Sequence, residues 1–282
     1  HYHQMVRDPK IDAIIISSPT SFHIEHIKIA IDSSKAIFCE KPVDLSFSKV
    51  KLIKDLLKDS KVPFMVGFNR RYDQSIQEIK KSIKNGTIGT PQIVGITSRD
   101  PAPPDINYLK TSGGLFLDMA IHDFDMACFL NYNSVESVYS TGSVFGEKQI
   151  KNLGDIDTAV TTLNFENGSI ATIDNSRKAA YGYDQRVEVF GDLGMCATKN
   201  QLPDNHFIAD ENGIHTPRPI GFFLERYADS FRSIIEEFIS CLIEKREMPN
   251  GISSGLNSLH ISLAAKKSLQ EKRVVYLKEE FN

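Results

Sequence analysis

The chain has 282 residues, enough for one large domain or two ordinary ones. Hydrophobic residues make up 41% and charged residues 24%, the balance of a folded globular chain rather than a disordered one. With 33 Lys plus Arg against 36 Asp plus Glu, the net charge of -3 argues against nucleic acid as the main partner, and no stretch is apolar for long enough to cross a bilayer, so no membrane partner is expected.

The first third alternates strands and helices. Ala13-Ile14-Ile15-Ile16-Ser17 is a continuous apolar run, as in a strand buried on both faces. Ser21 to Ser33 then sets Ile24, Ile27 and Ile31 at helical spacing. Ala36 to Cys39 reads as a second buried strand, Ser46 to Lys58 as a second helix, and Pro63 to Phe68 as a third strand. This rhythm predicts a parallel sheet with right-handed crossovers.

After Arg71 the pattern changes. A helix is expected near Asp73–Lys84, a strand over Gln92–Arg99, and a Pro-rich loop from Asp100 to Asp105. One continuous helix is expected near Leu115–Leu130. Glu166-Asn167-Gly168 lies between Thr158–Phe165 and Ser169–Asn175, a strong hairpin signal. A second hairpin is expected about Gly191-Asp192-Leu193-Gly194, and two helices close the chain near Phe223–Glu244 and Leu256–Gln270. The predicted fold is α/β plus α+β: a partial parallel sheet over residues 1–68, followed over 69–282 by an α+β domain with a large, mostly antiparallel sheet.

Cys39, Cys128, Cys196 and Cys241 are scattered and form no C-x-x-C, so neither a zinc knuckle nor a redox dithiol is suggested. Unpaired cysteines and the absence of a signal-type opening lead to an expected cytoplasmic location.

Several residues could carry chemistry. Glu40-Lys41-Pro42 follows the second strand, and ligands in open parallel sheets bind outside the carboxyl ends of strands. Lys41 there is either a fixed cation in a cleft or an ordinary surface lysine. Ser17-Ser18-Pro19-Thr20 ends the first strand and either meets a polar ligand or simply caps the next helix, whose first turn carries His23. Asp118 and His122 stand at i, i+4, which on one helix face allows a hydrogen bond between carboxylate and imidazole. Such a pair suits a general base, or a purely structural ion pair, and offers too few ligands for a metal. Arg70 and Arg71 could anchor a substrate, and Tyr181, Tyr183, Asp184 and Arg186 cluster at a strand entrance.

These pieces occur in an order that resembles the Gfo/Idh/MocA oxidoreductases, and within them the inositol 2-dehydrogenase-like members. The resemblance rests on Ile14 to Thr20 with His23, Phe38 to Pro42, Val66 to Asp73, Gly113 to Asp125 and Tyr181 to Gly191. It implies a Rossmann domain for NAD or NADP, with NAD favoured, and an α+β domain that supplies the substrate pocket and the oligomer interface of a homodimer or homotetramer. It carries Lys41, Asp118 and His122 onto the family's catalytic triad, and Ser18, Pro19, Thr20, His23, Glu40 and Lys41 onto the cofactor cleft. Arg71 and Tyr181 match positions near the polyol pocket. The implied reaction is hydride transfer from a secondary hydroxyl of a cyclic polyol or sugar, myo-inositol-like. The alternatives are a non-catalytic ligand-binding or scaffolding member and a metal-dependent lyase or hydrolase. The family's G-x-G-x-x-G turn does not occur in these 282 residues. His1 therefore aligns well inside the Rossmann domain, and the expectation is that the chain as written is a fragment or truncation that holds NAD poorly.

Overall fold

The computed structural model describes residues 2–146 and 148–279. In chain order the elements begin with a short helix α1 (Tyr2–Val6), β1 (Ala13–Ile16), α2 (His23–Asp32), β2 (Ala36–Cys39), α3 (Phe47–Ser60) and β3 (Phe64–Val66). The strands pair in parallel in the order β1-β2-β3. The alternation of β2 explains its burial on both sides. Ile37 and Cys39 face the main core with Ile27, Val50 and Ile53 of α2 and α3, while Ala36 and Phe38 face the opposite side.

A 3₁₀ turn over Asn69–Tyr72 leads to α4 (Gln74–Lys84), capped by the Asp73 carboxylate, which accepts from the amide of Ser75 at 2.9 Å. The next elements are β4 (Pro91–Arg99), α5 (Ile106–Leu109), α6 (Leu115–Asp118), α7 (Ile121–Asn131), β5 (Val135–Ser143), α8 (Lys148–Asn152), β6 (Thr158–Phe165), β7 (Ile170–Ser176), β8 (Asp184–Gly191) and β9 (Met195–Ala197). The chain ends with a small hairpin of β10 (Ile208–Asp210) and β11 (Gly213–His215), then α9 (Phe223–Arg226), α10 (Ala228–Glu244), α11 (Ile252–Glu271) and β12 (Val275–Tyr276).

The large sheet has seven strands in the order β12-β5-β6-β7-β4-β8-β9. Only the β4–β7 pair is parallel; the rest are antiparallel, and both expected hairpins form. Its inner positions, among them Val94, Ile96, Leu163, Ile173 and Val189, are buried with residues of α7 and α11.

The two stretches on either side of residue 68 share hydrophobic clusters. Ile234 and Phe238 of α10 pack on Ala36, Phe38 and Met65, so α10 covers the face of the parallel sheet opposite α2 and α3. α11 brings Leu256, Leu259 and Ala264 into the main cluster with Val43 and Val66. This packing brings the carboxyl ends of β1 to β3 against the large sheet, and the cavity between them is where the polar residues gather.

Candidate active site

A cavity of about 640 Å³ opens at the carboxyl ends of the three parallel strands. From β1 it takes Ser17, Ser18 and Thr20; from β2, Glu40 and Lys41; from the turn after β3, Asn69 and Arg70. The opposite wall is built from Asp100, Tyr108, Asp118, His122, Arg177 and Tyr183, with Tyr227, Phe222 and Phe231 above.

The strand-end wall is held by main-chain bonding. The amide of Glu40 donates to the carbonyl of Ile16 at 2.9 Å, and that of Gly67 to Cys39 at 2.8 Å, continuing the ladder past the last strand residues. Gly67 leaves room for the Glu40 carboxylate, since a Cβ there would stand 2.9 Å from Oε2. His23 is buried, with Nδ1 2.9 Å from the carbonyl oxygen of Pro42 and Nε2 2.7 Å from that of Ser18. It ties the β1 end to the turn that carries Lys41. Burial depresses its pKa, although both carbonyls favour the charged ring. Burial raises Glu40, opposed by the charge of Lys41.

Lys41 reaches across the cavity. Its Nζ donates to the main-chain oxygen of Asp118 at 2.9 Å and stands 3.6 Å from the Asp118 carboxylate. Asp118 also accepts from Tyr108 Oη at 2.7 Å and from Arg177 Nη2 at 3.2 Å. Arg177 is 1% exposed.

The expected Asp118–His122 hydrogen bond is not made, which corrects the i, i+4 reading. The continuous helix expected over Leu115–Leu130 is two pieces, α6 and α7. At the joint the amide of Ala120 bonds back five residues to Leu115 at 2.9 Å, and that of Asp123 bonds back three to Ala120 at 2.9 Å. This widening and tightening breaks the 3.6-residue period between Asp118 and His122. His122 is packed edge-on to the ring of Phe68, at 6.2 Å between centroids. Its Nδ1 is buried with no hydrogen-bond partner among the described residues. Burial, then Lys41 and Arg70, hold its pKa well below the ordinary histidine value, so the ring is neutral near pH 7.

The structure gathers Ser18, Thr20, His23, Glu40, Lys41, Asp118 and His122 into this one cavity. Pro19 is exposed and does not line it. Two other expected positions also lie elsewhere. Arg71 turns inward, where Nε and Nη2 grip Asp125 at 2.7 and 2.6 Å. The 3₁₀ turn sends successive side chains in different directions, so Arg70 lines the cavity instead and donates to Asp123 at 2.8 Å. Tyr181 is 46% exposed and is held between Arg99, at 2.9 Å, and Asp184, at 2.5 Å. Gly182, with φ of +124°, redirects the chain so that Tyr183 faces the cavity.

Asn69, Asp100, Tyr108 and Arg177 are cavity residues that sequence reasoning missed. Asp100 was visible only as the start of a Pro-rich loop. It is buried, and burial pushes its carboxyl up to about 6 against the pull of Arg70 and Arg177. The Nδ2 of Asn69 is buried and unpartnered among the described residues. The cavity thus presents a neutral imidazole, a fixed ammonium and polar donors without protein acceptors. That set can take a proton from a hydroxyl, steady an alkoxide and bind a polar ring.

Two family descriptions match this chain. Residues 1–68 match the "Oxidoreductase family, NAD-binding Rossmann fold", and residues 76–197 the "GFO/IDH/MocA C-terminal domain". The chain is 43% identical over 279 residues to the myo-inositol 2-dehydrogenase of Thermotoga maritima, covering 98% of this chain and 83% of that protein. It is 47% identical over 268 residues to an uncharacterized oxidoreductase, YrbE, of Bacillus subtilis, covering 95% and 79%. Its structure superposes on scyllo-inositol dehydrogenase of Lactobacillus casei with bound cofactor NAD(H) and scyllo-inositol, with a TM-score of 0.92 at 27% identity, covering 99% of this chain and 84% of that one.

Proposed function

The chain belongs to the GFO/IDH/MocA oxidoreductase family, and on that premise we propose that it serves NAD-dependent oxidation of a secondary hydroxyl of an inositol-like cyclic polyol. The observation that carries the reading is the pairing of His122, whose Nδ1 is buried and without a partner among the described residues, with Lys41 in one cavity at the strand ends. The relatives named as inositol dehydrogenases, and the NAD(H)-bound neighbour, supply the substrate class and favour NAD.

The residues present fit a nicotinamide and a polyol side by side. Ser18, Thr20, Glu40 and Lys41 would flank the cofactor ring at the strand ends, and the unpartnered Nδ2 of Asn69 is a spare donor for a ligand oxygen. NAD, when bound, supplies the hydride acceptor. His122 takes the hydroxyl proton, being neutral at pH 7 because of burial and of Lys41. Lys41 donates to the substrate oxygen and offsets its developing charge. Asp118 holds Lys41 in place through the contacts already described. Tyr183 and Tyr227 exclude water from the far side.

Steady-state NADH formation from myo-inositol and NAD tests this. The His122→Ala variant is expected to lose roughly 10²–10⁴-fold in kcat. Full turnover by that variant on the best polyol would sink the assignment.

A further inference from the structure

Asp118 is gripped by two residues that the proposed chemistry does not require. Tyr108 arrives from the short helix α5, ten residues earlier in the chain, and donates to Oδ1 at 2.7 Å. Arg177 arrives from the end of β7, 59 residues later, and donates to Oδ2 at 3.2 Å. Each carboxylate oxygen therefore has its own donor, from a different part of the fold. Arg177 is itself fixed: its main-chain amide donates to the carbonyl of Asp157 at 2.8 Å, and its side chain is 1% exposed. Among the described residues, its charged contact within 4 Å is Asp118. A carboxylate free to rotate could turn either toward Lys41 or toward the His122 ring, four residues along. With each oxygen already held, turning would break one of these hydrogen bonds, and Lys41 Nζ meets Oδ1 at 3.6 Å.

We propose that Tyr108 and Arg177 are positioning residues that lock the Asp118 carboxylate onto Lys41, leaving the His122 ring unpaired for the substrate hydroxyl. This rests on the dehydrogenase reading above. It assigns Asp118 to the lysine and not to the histidine, and it makes the loop bearing Tyr108 part of the reaction's geometry. The ring of Tyr108 is half exposed while its hydroxyl reaches inward, so removal of that one oxygen leaves packing nearly untouched.

The test uses the full chain with NAD and a polyol, comparing wild type with Tyr108→Phe, Arg177→Lys and Arg177→Met, and with His122→Ala as the reference for the reaction. Tyr108→Phe is expected to lower kcat about tenfold, the worth of one hydrogen bond to a charged group, with the KM for NAD unchanged. Arg177→Lys is expected to retain more kcat than Arg177→Met, whereas a merely structural role would show as lowered stability with no such split. Crystal structures of Tyr108→Phe and Arg177→Met supply a readout independent of turnover: the Asp118 carboxylate should rotate off Lys41. An unmoved carboxylate together with unchanged kcat overturns the proposal even if His122→Ala is inactive. If wild type makes no NADH from any polyol with NAD raised to saturation, the dehydrogenase reading fails, and the rotation or stillness of Asp118 in the crystals still decides the lock.

Discussion

The two walls of the cavity are built on different principles. The strand-end wall owes its shape to main-chain bonds, such as Glu40 to Ile16 and Gly67 to Cys39, and its side chains ride on that frame. The opposite wall is assembled from α6, α7 and the loops around β4 and β7, and side-chain ion pairs fix it: Arg177 to Asp118, Arg70 to Asp123, and behind them Arg71 to Asp125. Main-chain bonds survive most substitutions. Buried ion pairs do not, because removing one partner leaves the other charge without water or counterion. Single substitutions should therefore cost little on the first wall and much on the second.

The largest effect is expected at Arg71. Its guanidinium makes a two-point contact with Asp125, and that carboxylate is 2% exposed. Arg71→Met should lower unfolding stability by about 3–5 kcal/mol, read from urea denaturation at neutral pH. Adding Asp125→Asn should recover most of that loss. On the strand-end wall, Ser18→Ala removes only the contact to His26 at 3.1 Å and should cost about 1 kcal/mol. Equal losses at Arg71 and Ser18 would erase the distinction between a charge held in a buried ion pair and a side chain that rides on main-chain bonds.

Asp100 sharpens the comparison in the other direction. Its carboxyl is pushed up to about 6 by burial, from an ordinary 3.8, despite Arg70 and Arg177. A raised carboxyl binds its proton more tightly in the folded state. Its contribution to stability is fullest below the unfolded value of 3.8 and is lost as pH rises through about 6. At neutral pH the charged form is a liability. Asp100→Asn should therefore stabilise the protein by about 1–3 kcal/mol at pH 7, with little gain below about pH 4, while weakening polyol binding. Destabilisation at pH 7 would mean that Arg70 and Arg177 need the charge more than burial opposes it.

The same division decides what could be read from the sequence. Alternating apolar runs announced the β1-β2-β3 sheet and its helices, because parallel strands buried on both faces must be apolar throughout. Both hairpins were marked by their glycines. Lys41, Glu40 and His23 could be placed because the carboxyl end of a strand is a fixed location. The other wall was obscure for physical reasons. Its partners lie far apart in the chain, as with Tyr108, Asp118 and Arg177, and nothing local in the sequence links them. The joint at Met119–Ala120 has good helix formers, so the break that parts Asp118 from His122 left no compositional trace. β5 was overlooked because Ser137, Ser140 and Gly142 interrupt its alternation; Ser140 is buried against Thr161 at 2.9 Å rather than facing water.

The smallest expected effect concerns His23, where the main-chain frame meets a titratable ring. Both ring nitrogens face carbonyl oxygens, of Pro42 and Ser18, yet a neutral imidazole has one N–H and can satisfy only one of them. The charged ring would satisfy both. Burial opposes that charge, as does nearby His26, while Asp44 favours it, and the balance leaves the pKa below 6.5. The sign follows directly. A histidine depressed in the folded state binds its proton more readily when unfolded, so its contribution is intact above 6.5 and is lost as pH falls below that value. The two carbonyls limit the loss, because the ring that finally charges gains a second hydrogen bond. Between about pH 7.5 and 5.5, wild type should lose more stability than His23→Gln, whose amide does not titrate. His122 titrates in the same direction in both proteins, so the difference between the two urea curves isolates His23. A wild-type curve that falls no faster than the variant's would show that the carbonyls, and not burial, set the charge of this ring.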